Sequence, residues 1–226
     1  MRVHVAFTPA ETAAAPVGIV VDVLRATSTI AQALASGYER VYCSAEVDDA
    51  LALRERLGEG LLGGERSAVK IEGFDVGASP REFVGEPRAK TVIFSTTNGT
   101  RAILETARRC DEVLLGSLLN LSAVAGAVDG EDVVVVCAGF QGVFALDDAY
   151  CAGRIVQLVT GERTHAADSA DLLARAFPNA LEGLNARTYG PPGLEEDIAY
   201  CAQEDLLGAV PRLTGTVGAA AEIMLR

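Results

Sequence analysis

Short runs of apolar residues alternate with amphipathic stretches along most of the chain. Continuous Val, Ile and Leu runs of this length fit strands that are buried on both faces, as in parallel sheets. The stretches between them carry apolar residues at helical spacing. The predicted strands are Val17–Val23, Arg40–Cys43, Gly60–Gly63, Thr91–Phe94, Glu112–Leu115 and Asp132–Cys137, and the predicted helices are Thr27–Ser36, Val47–Leu57, Gly99–Arg108, Leu121–Val128, Asp147–Val159, Ala166–Phe177 and Glu195–Gln203.

This alternation predicts an α/β fold with three layers, α/β/α, in which helices cover both faces of a mainly parallel sheet. A chain of 226 residues fits one large domain or two small fused subdomains. No repeat or low-complexity linker divides it, so we expect a single unit over residues 1–226, with a weak subdivision near 120–130 or 178–193. Pro178–Gly193 is the most loop-like segment.

Composition excludes several classes of partner. The net charge of −12 argues against nucleic acid, whose binding needs a basic surface, and against anionic membranes. No apolar run reaches the ~20 residues needed to span a bilayer. The chain starts on an alternating strand pattern instead of a signal peptide, so we expect a cytoplasmic protein. A homo-oligomer remains open.

The five cysteines are scattered without a Cys-x-x-Cys pair, and there are two histidines, so a zinc site is not expected. Cys137 lies where a buried strand meets a glycine turn, where a thiolate nucleophile is conceivable. The Cys-x5-Arg spacing of cysteine phosphatases is absent, since the next arginine is Arg154. Packing is therefore the favoured role for Cys137.

Each strong strand runs directly into a cluster of small polar and charged residues. In parallel α/β sheets the carboxyl ends of the strands lie on one edge, and ligands bind there. We therefore expect the clusters to converge although they are far apart in sequence. They are Asp22–Thr29, Gly64–Arg66, Ser95–Arg101, Gly116–Asn120 and Cys137–Gly142, the last including Gly139.

The cluster Ser95–Arg101 is a strand-to-helix turn rich in hydroxyl groups. Asn98-Gly99 tolerates positive φ, which would let successive N–H groups point into one concavity at the start of a helix. Thr97 and Thr100 can donate hydroxyl bonds, and Arg101 offers a planar fork that matches phosphate oxygens. The alternative is an ordinary helix cap with surface threonines.

Asp22–Thr29 repeats this design. Thr27 or Ser28 can cap the helix, and Arg25 can reach an anion. Asp22, at the strand end, is a candidate metal ligand or base. Its alternative role is a turn aspartate bonded to local amides.

Two further regions supply candidate acids. The long connection Gly64–Ser79 contains several carboxylates, and magnesium usually takes one or two carboxylates plus substrate oxygens. Acids and bases there could also simply pair with each other. Asp147-Asp148 opens a helix, so one of the two is expected to be its N-cap and the other a possible metal ligand. Asp197 and Asp205 are expected to be solvated or capping. The charged residues of the long connection are Glu65, Arg66, Lys70, Glu72 and Asp75.

Six segments in this order resemble the 2-phosphosulfolactate phosphatase (ComB-like) family. The matching stretches read VVDVLRATSTI at 20–30, GGERSAVKIEGFDVGASPREF at 63–83, STTNGTRAI at 95–103, GSLLNLSAVA at 116–125, CAGFQGVFALDDAYCAG at 137–153 and EEDIAYCAQED at 195–205.

The resemblance implies a magnesium-dependent acid-type phosphatase with an α/β/α architecture. The family reaction hydrolyses 2-phosphosulfolactate to sulfolactate and phosphate, a step toward coenzyme M. This chain departs from the expected pattern at Phe140-Gln141 and Ala145, and neither departure removes a candidate ligand. The resemblance supports the phosphatase reaction more strongly than it supports the sulfonate group of the substrate. A related phospho-2-hydroxy acid is therefore also an expected substrate.

These observations give a concrete set of expected roles. Water, oriented by a carboxylate, is the expected nucleophile; a covalent intermediate on Asp22 stays open, although the D-x-D of the best-known aspartate phosphatases is absent. We expect catalytic roles for Asp22, Arg25, Glu65 and Asp75, magnesium held by some of Asp22, Glu65, Asp75 and Asp147, and phosphate contacts from Thr27, Ser28, Arg66, Thr97, Asn98, Gly99, Thr100, Arg101 and Gly139, with Lys70, Glu72, Cys137 and Asp148 as weaker candidates.

A non-catalytic sensor of a phosphorylated metabolite is the alternative function. It would keep an anion cradle of Thr, Asn, Gly and Arg residues but would not need the acids. The many carboxylates next to the basic loops therefore favour the enzyme.

Overall fold

The structure is a computed structural model that describes residues 1–128, 130–187 and 194–225. None of the helices in these ranges combines the length and the apolar character needed to cross a membrane. The strands are β1 Arg2–Ala6, β2 Ala15–Val21, β3 Arg40–Ser44, β4 Leu61–Arg66, β5 Val69–Lys70, β6 Thr91–Ser95, β7 Cys110–Gly116, β8 Val133–Cys137, β9 Glu162–Arg163, β10 Pro211–Val217 and β11 Ala220–Leu225. The helices are α1 Ala26–Ala35, α2 Val47–Leu57, α3 Gly99–Thr106, α4 Leu121–Gly126, α5 Leu146–Leu158, α6 His165–Arg175, α7 Ala180–Asn185 and α8 Glu195–Cys201.

The predicted α/β class is confirmed: helices cover both sides of one mainly parallel sheet of 11 strands, in the order β5-β4-β6-β3-β11-β10-β7-β2-β8-β1-β9. The sheet contains two parallel groups, β4-β6-β3 and β7-β2-β8-β1. Between them lies the hairpin of β10 and β11, which is antiparallel to β7 on one side and to β3 on the other. No strand was predicted for the residues of this hairpin.

Alternation along the strands divides their side chains between two faces. In β2, Ile19 packs with one buried cluster and Val20 with another. In β6, Phe94 joins the cluster that holds Val20, while Ile93 faces a third cluster under α2. Both parallel groups thus share one buried cluster, to which α1 and α3 contribute Ile30 and other apolar residues.

A flat sheet of this order would place the carboxyl ends of the two groups at opposite edges, because the hairpin reverses the strand direction. Yet a β-carbon added at Gly99, after β6, would lie 2.8 Å from Asp22 Oδ2, after β2. The two ends are therefore in contact, and the sheet must bend across the hairpin to bring them together. The expectation that the polar clusters lie along one edge of the sheet is wrong, but the clusters after β2 and β6 do converge, as expected.

The segment Pro178–Gly193, expected to be loop, contains α7. Asn179 caps this helix, since its side chain accepts a hydrogen bond from the amide of Glu182. Residues 188–193, with Pro191-Pro192-Gly193, lie outside the described residues. The suggested subdivisions of the chain stay predictions.

Candidate active site

One pocket gathers side chains from the turns that follow β2, β4, β6 and β8 and from the first turn of α5. It brings together six of the residues singled out in the sequence. These are Asp22, Arg25, Glu65, Thr97, Asn98 and Asp147. The rest of its described lining is Leu24, Ala26, Ser67, Ala68, Ala78, Thr96, Phe140, Gln141, Arg187 and Leu194.

Asp22 is the first residue after β2 and is buried. Its Oδ1 accepts a hydrogen bond from the Ala26 amide at 3.1 Å, which ties the carboxylate to the first turn of α1. Burial raises the pKa of Asp22 to about 7; the Ala26 amide opposes this rise, and the charges of Glu65 and Asp147 add to it. Acid and base forms therefore coexist near neutral pH, as a proton-transfer group requires.

Glu65, near the end of β4, is held by two amides. Its Oε1 accepts from the Thr97 N–H at 2.8 Å and its Oε2 from the Ala68 N–H at 2.6 Å. Ser67 and Ala68 form the tight turn to β5 with φ values of 53° and 63°. This turn therefore fixes the carboxylate of Glu65 between the ends of β4 and β6.

Arg25 is the N-cap residue of α1, and its side chain is 9% exposed. Its Nη1 donates to Asp197 Oδ2 at 2.5 Å and its Nη2 to the Ala68 carbonyl at 3.0 Å. Arg187, just after α7, lines the same pocket. Arg187 follows no predicted strand, so its place in the pocket was not predicted from the sequence. Asp197 was expected to be solvated or capping, but it is buried.

The turn after β6 contributes neutral groups. The hydroxyl of Thr97 is buried, and its Oγ1 has no hydrogen-bond partner in the part of the chain that the structure describes. Asn98 Oδ1 accepts from the Gln141 amide at 3.1 Å. Asn98 has a φ of −114°, so the predicted left-handed bend is wrong at this residue. Gly99 is needed for close approach instead, since a side chain would collide with Asp22 and Ala26.

Three predicted phosphate-binding hydroxyls lie outside the pocket lining. Thr27 Oγ1 donates to the Asp22 carbonyl at 3.0 Å, and Ser28 Oγ donates to the Val23 carbonyl at 2.8 Å. Thr100 is buried next to Thr96, whose Oγ1 accepts its amide at 3.3 Å. Each of these contacts stabilises its own turn, because hydroxyls at a helix start bond to nearby backbone groups.

Two predicted phosphate-binding arginines are also turned away from the pocket. Arg66 Nη2 donates to the Ala45 carbonyl and to Ser95 Oγ at 2.8 and 2.9 Å, so it braces the end of β6. Arg101 is 69% exposed, lies 3.3 Å from Glu46 Oε1 and lines a neighbouring groove. The guanidinium groups of both arginines therefore contact protein groups of the surrounding loops.

The acids and base of the connection after β4 are not brought to the pocket, apart from Glu65. Asp75 Oδ2 accepts from the Leu62 amide at 2.8 Å and from Arg54 Nη1 at 3.3 Å. Lys70 lies in β5 and is exposed, as is Glu72. The predicted catalytic and metal roles of Asp75 therefore do not fit, since its carboxylate holds β4 to the following turn.

Asp148 joins two of the converging turns. Its Oδ1 accepts from the Val23 amide at 2.9 Å and its Oδ2 from the Gly139 amide at 3.0 Å, so that amide is already used. The N-cap of α5 is Ala145, which corrects the prediction that one of the paired aspartates caps this helix. Cys137 is buried, and burial raises the pKa of its thiol well above the ordinary value, which favours packing.

The number of carboxylates in the pocket limits which metal ion it could bind. Among residues 1–128, 130–187 and 194–225, no group of three His, Cys, Asp or Glu side chains forms a metal cage. Magnesium needs only one or two carboxylates, because water and substrate oxygens complete its octahedron. The charges of Glu65 and Asp147 raise the pKa of the buried Asp22, and a cation beside these carboxylates would offset that repulsion.

These features define an α/β enzyme whose ligand pocket collects carboxylates and guanidinium groups at the ends of its strands. Residues 4–216 match the model of the 2-phosphosulpholactate phosphatase family, and the chain belongs to this family. A probable 2-phosphosulfolactate phosphatase of Thermus thermophilus is 40% identical over 97% of this chain and 98% of its own length.

Two other relatives carry the same name. The protein of Caldanaerobacter subterraneus subsp. tengcongensis is 40% identical over 86% of both chains. That of Thermotoga maritima is 38% identical over 95% of this chain and 96% of its own. The resemblance drawn from the six sequence segments is thereby confirmed.

Proposed function

We propose that this protein is a magnesium-dependent phosphatase that hydrolyses 2-phosphosulfolactate, or a related phospho-2-hydroxy acid, to the hydroxy acid and phosphate. For 2-phosphosulfolactate the product is 3-sulfolactate, as in a route of the coenzyme M type. The carrying observation is the pocket itself, where Asp22, with a pKa of about 7, lies with two more carboxylates and two arginines. The names of the relatives support the substrate.

The proposed substrate carries a phosphoryl group and at least one further acid group, so it needs more than one cationic partner. Arg25 and Arg187 both line the pocket and supply that charge. The Thr97 hydroxyl adds a neutral donor. Arg187 replaces Arg66 and Lys70 as the partner of the second anion, because those two side chains lie elsewhere.

The chemistry follows from this arrangement. One or two of the carboxylates of Asp22, Glu65 and Asp147 would hold magnesium, which would polarise the phosphoryl oxygens and neutralise charge. Arg25, fixed at two points, presents its other donors to the phosphoryl group during in-line displacement. A carboxylate of the same set orients the attacking water and takes its proton.

The test is phosphate release from 2-phosphosulfolactate and 2-phospholactate. We expect turnover with magnesium, loss in EDTA and recovery when magnesium is restored. Release that is indifferent to EDTA would remove the metal from the proposal. Tight binding of these compounds without turnover of any phospho-2-hydroxy acid would indicate the sensor instead.

A further inference from the structure

Asp197 of α8 is buried next to the proposed site. Its side chain is 8% exposed, and its Oδ2 accepts from Arg25 Nη1 at 2.5 Å, across 172 positions of sequence. Its Oδ1 accepts from Ser79 Oγ at 2.5 Å and lies 3.9 Å from Arg81 Nη1. Both carboxylate oxygens therefore have partners. Ser79 holds Oδ1 in place, and Oδ2 holds the guanidinium of Arg25.

Arg25 is fixed at a second point, where Nη2 donates to the Ala68 carbonyl at 3.0 Å. The amide of the same residue donates to Glu65 Oε2 at 2.6 Å. A continuous set of contacts thus runs from Asp197 through Arg25 and Ala68 to Glu65. The two anchoring bonds use two of the five N–H donors of the guanidinium, which leaves three donors on a side chain that lines the pocket.

We infer that Asp197 is a positioning residue that holds the Arg25 guanidinium in its phosphate-binding orientation before the substrate arrives. This inference rests on the proposed function, since it gives Arg25 a phosphoryl group to bind. An arginine side chain has many rotamers, and ordering it in advance removes that entropy cost from binding and from the transition state. The competing role is purely structural: a buried ion pair that joins α8 to the start of α1, together with a hydrogen bond from Ser79.

Asp197→Asn separates these roles because it keeps the shape of the side chain and removes the charge. We expect kcat/KM to fall by about 100-fold, the scale of a misplaced catalytic group. Arg25→Ala should lose at least as much, and the double variant should be no worse than Arg25→Ala alone. Glu196→Gln is the matched control: this neighbour is 77% exposed and pairs with Arg81, and its variant should retain kcat/KM.

The orientation of Arg25 is measured directly by NMR of its Nε–H group, assigned by the loss of the signal in Arg25→Lys. We expect a sharp signal in the wild type and in Glu196→Gln, and a broadened or shifted one in Asp197→Asn. Additive losses in the double variant, or an unchanged Arg25 signal in Asp197→Asn, would overturn the inference.

Failure of the proposed function is distinguishable from failure of this inference. If the wild type hydrolyses no phospho-2-hydroxy acid, the proposed function fails, and the Arg25 signal alone decides whether Asp197 orders this side chain. If Asp197→Asn does not fold, Ser79→Ala removes the hydroxyl that fixes the other carboxylate oxygen. The Arg25 signal should then shift, and an unchanged signal in that variant would also overturn the inference.

Discussion

The turns after β2 and β6 look alike in sequence, since each combines hydroxyl residues, an arginine and a helix start, but their arginines lie in different places. Arg25 is the N-cap residue of α1 and lines the pocket, whereas Arg101 is the third residue of α3 and pairs with Glu46 on the surface. Arg25 has a non-helical backbone, with φ −147° and ψ −1°, whereas Arg101 lies inside the first turn of its helix, so the two side chains leave the backbone in different directions. Position relative to the helix start, and not composition, decides which arginine lines the pocket.

The polar groups of the two turns also differ. The first turn gives the pocket two charged groups, Asp22 and Arg25, while Thr27 and Ser28 bond back to the chain. The second gives neutral groups, the Thr97 hydroxyl and Asn98. The two turns therefore contribute different kinds of group to the pocket, charged groups from one and neutral groups from the other, and they do not form two copies of one anion-binding loop.

We expect the largest loss of activity from Asp22→Asn, which removes a charged group that the turn after β2 contributes to the pocket. We expect turnover to fall by about 1,000-fold or more, as for the loss of an acid–base or metal-binding group. The fold should remain, because the Asn oxygen can still accept the Ala26 amide. Phosphate release and circular dichroism measure the two effects, and wild-type rates in this variant would remove Asp22 from the mechanism.

The same variant should show the pH dependence that Asp22 imposes on stability. Its pKa is about 7 in the folded protein against 3.8 ordinarily, so above 3.8 the folded state binds more protons than the unfolded state. This contribution to the free energy of unfolding therefore falls as pH rises from about 4 to 7. Without magnesium, Asp22→Asn should match the wild type near pH 4 and exceed it by on the order of 4 kcal/mol at pH 8.

Denaturant unfolding at several pH values measures this difference. The charge of Asp22 also raises the pKa of the buried Asp148, so Asp22→Asn relieves that carboxyl as well, and the difference between the two proteins should still grow with pH. A stability difference that does not grow with pH would mean that Asp22 ionises freely in the folded state.

Arg25→Ala and Arg101→Ala test the comparison of the two arginines directly. We expect Arg25→Ala to lower kcat/KM by about 100-fold and Arg101→Ala by less than about 3-fold, because a surface ion pair contributes little. Steady-state kinetics on one substrate suffices. Equal losses in the two variants would place Arg101 in the site and contradict the difference between the turns.

Thr97→Val and Thr27→Val give the smallest expected effects. Thr97→Val should lower kcat/KM by about 10-fold with unchanged stability, since its Oγ1 has no partner in the described chain to lose. Thr27→Val should instead cost about 1–3 kcal/mol of stability, because the Asp22 carbonyl and amide lose their hydroxyl partner. Kinetics and thermal unfolding separate the two, and an active, unaltered Thr97→Val would remove that hydroxyl from binding.

Strand and helix prediction succeeded where burial gives a strong local pattern. Helix α2 has its predicted bounds, Val47–Leu57, and the Val-rich β8 lies within Asp132–Cys137. The hairpin of β10 and β11 was missed because Pro211–Val217 mixes polar residues and a glycine into a short apolar pattern. Its place in the middle of the sheet comes from pairing with β3 and β7, which no local pattern records.

The sequence by itself determined the strand–helix alternation, the polar residues at the strand ends and the family, because these depend on local pattern and on the order of motifs. Only the tertiary structure decided that the sheet bends so that the turns after β2 and β6 meet. It also placed Glu65, Arg25 and Arg187 in the pocket lining, left Asp75, Arg66 and Arg101 outside it, and paired Asp197 with Arg25. The physical reason is that the direction of a side chain depends on its place in an element and on the partners that long-range packing supplies.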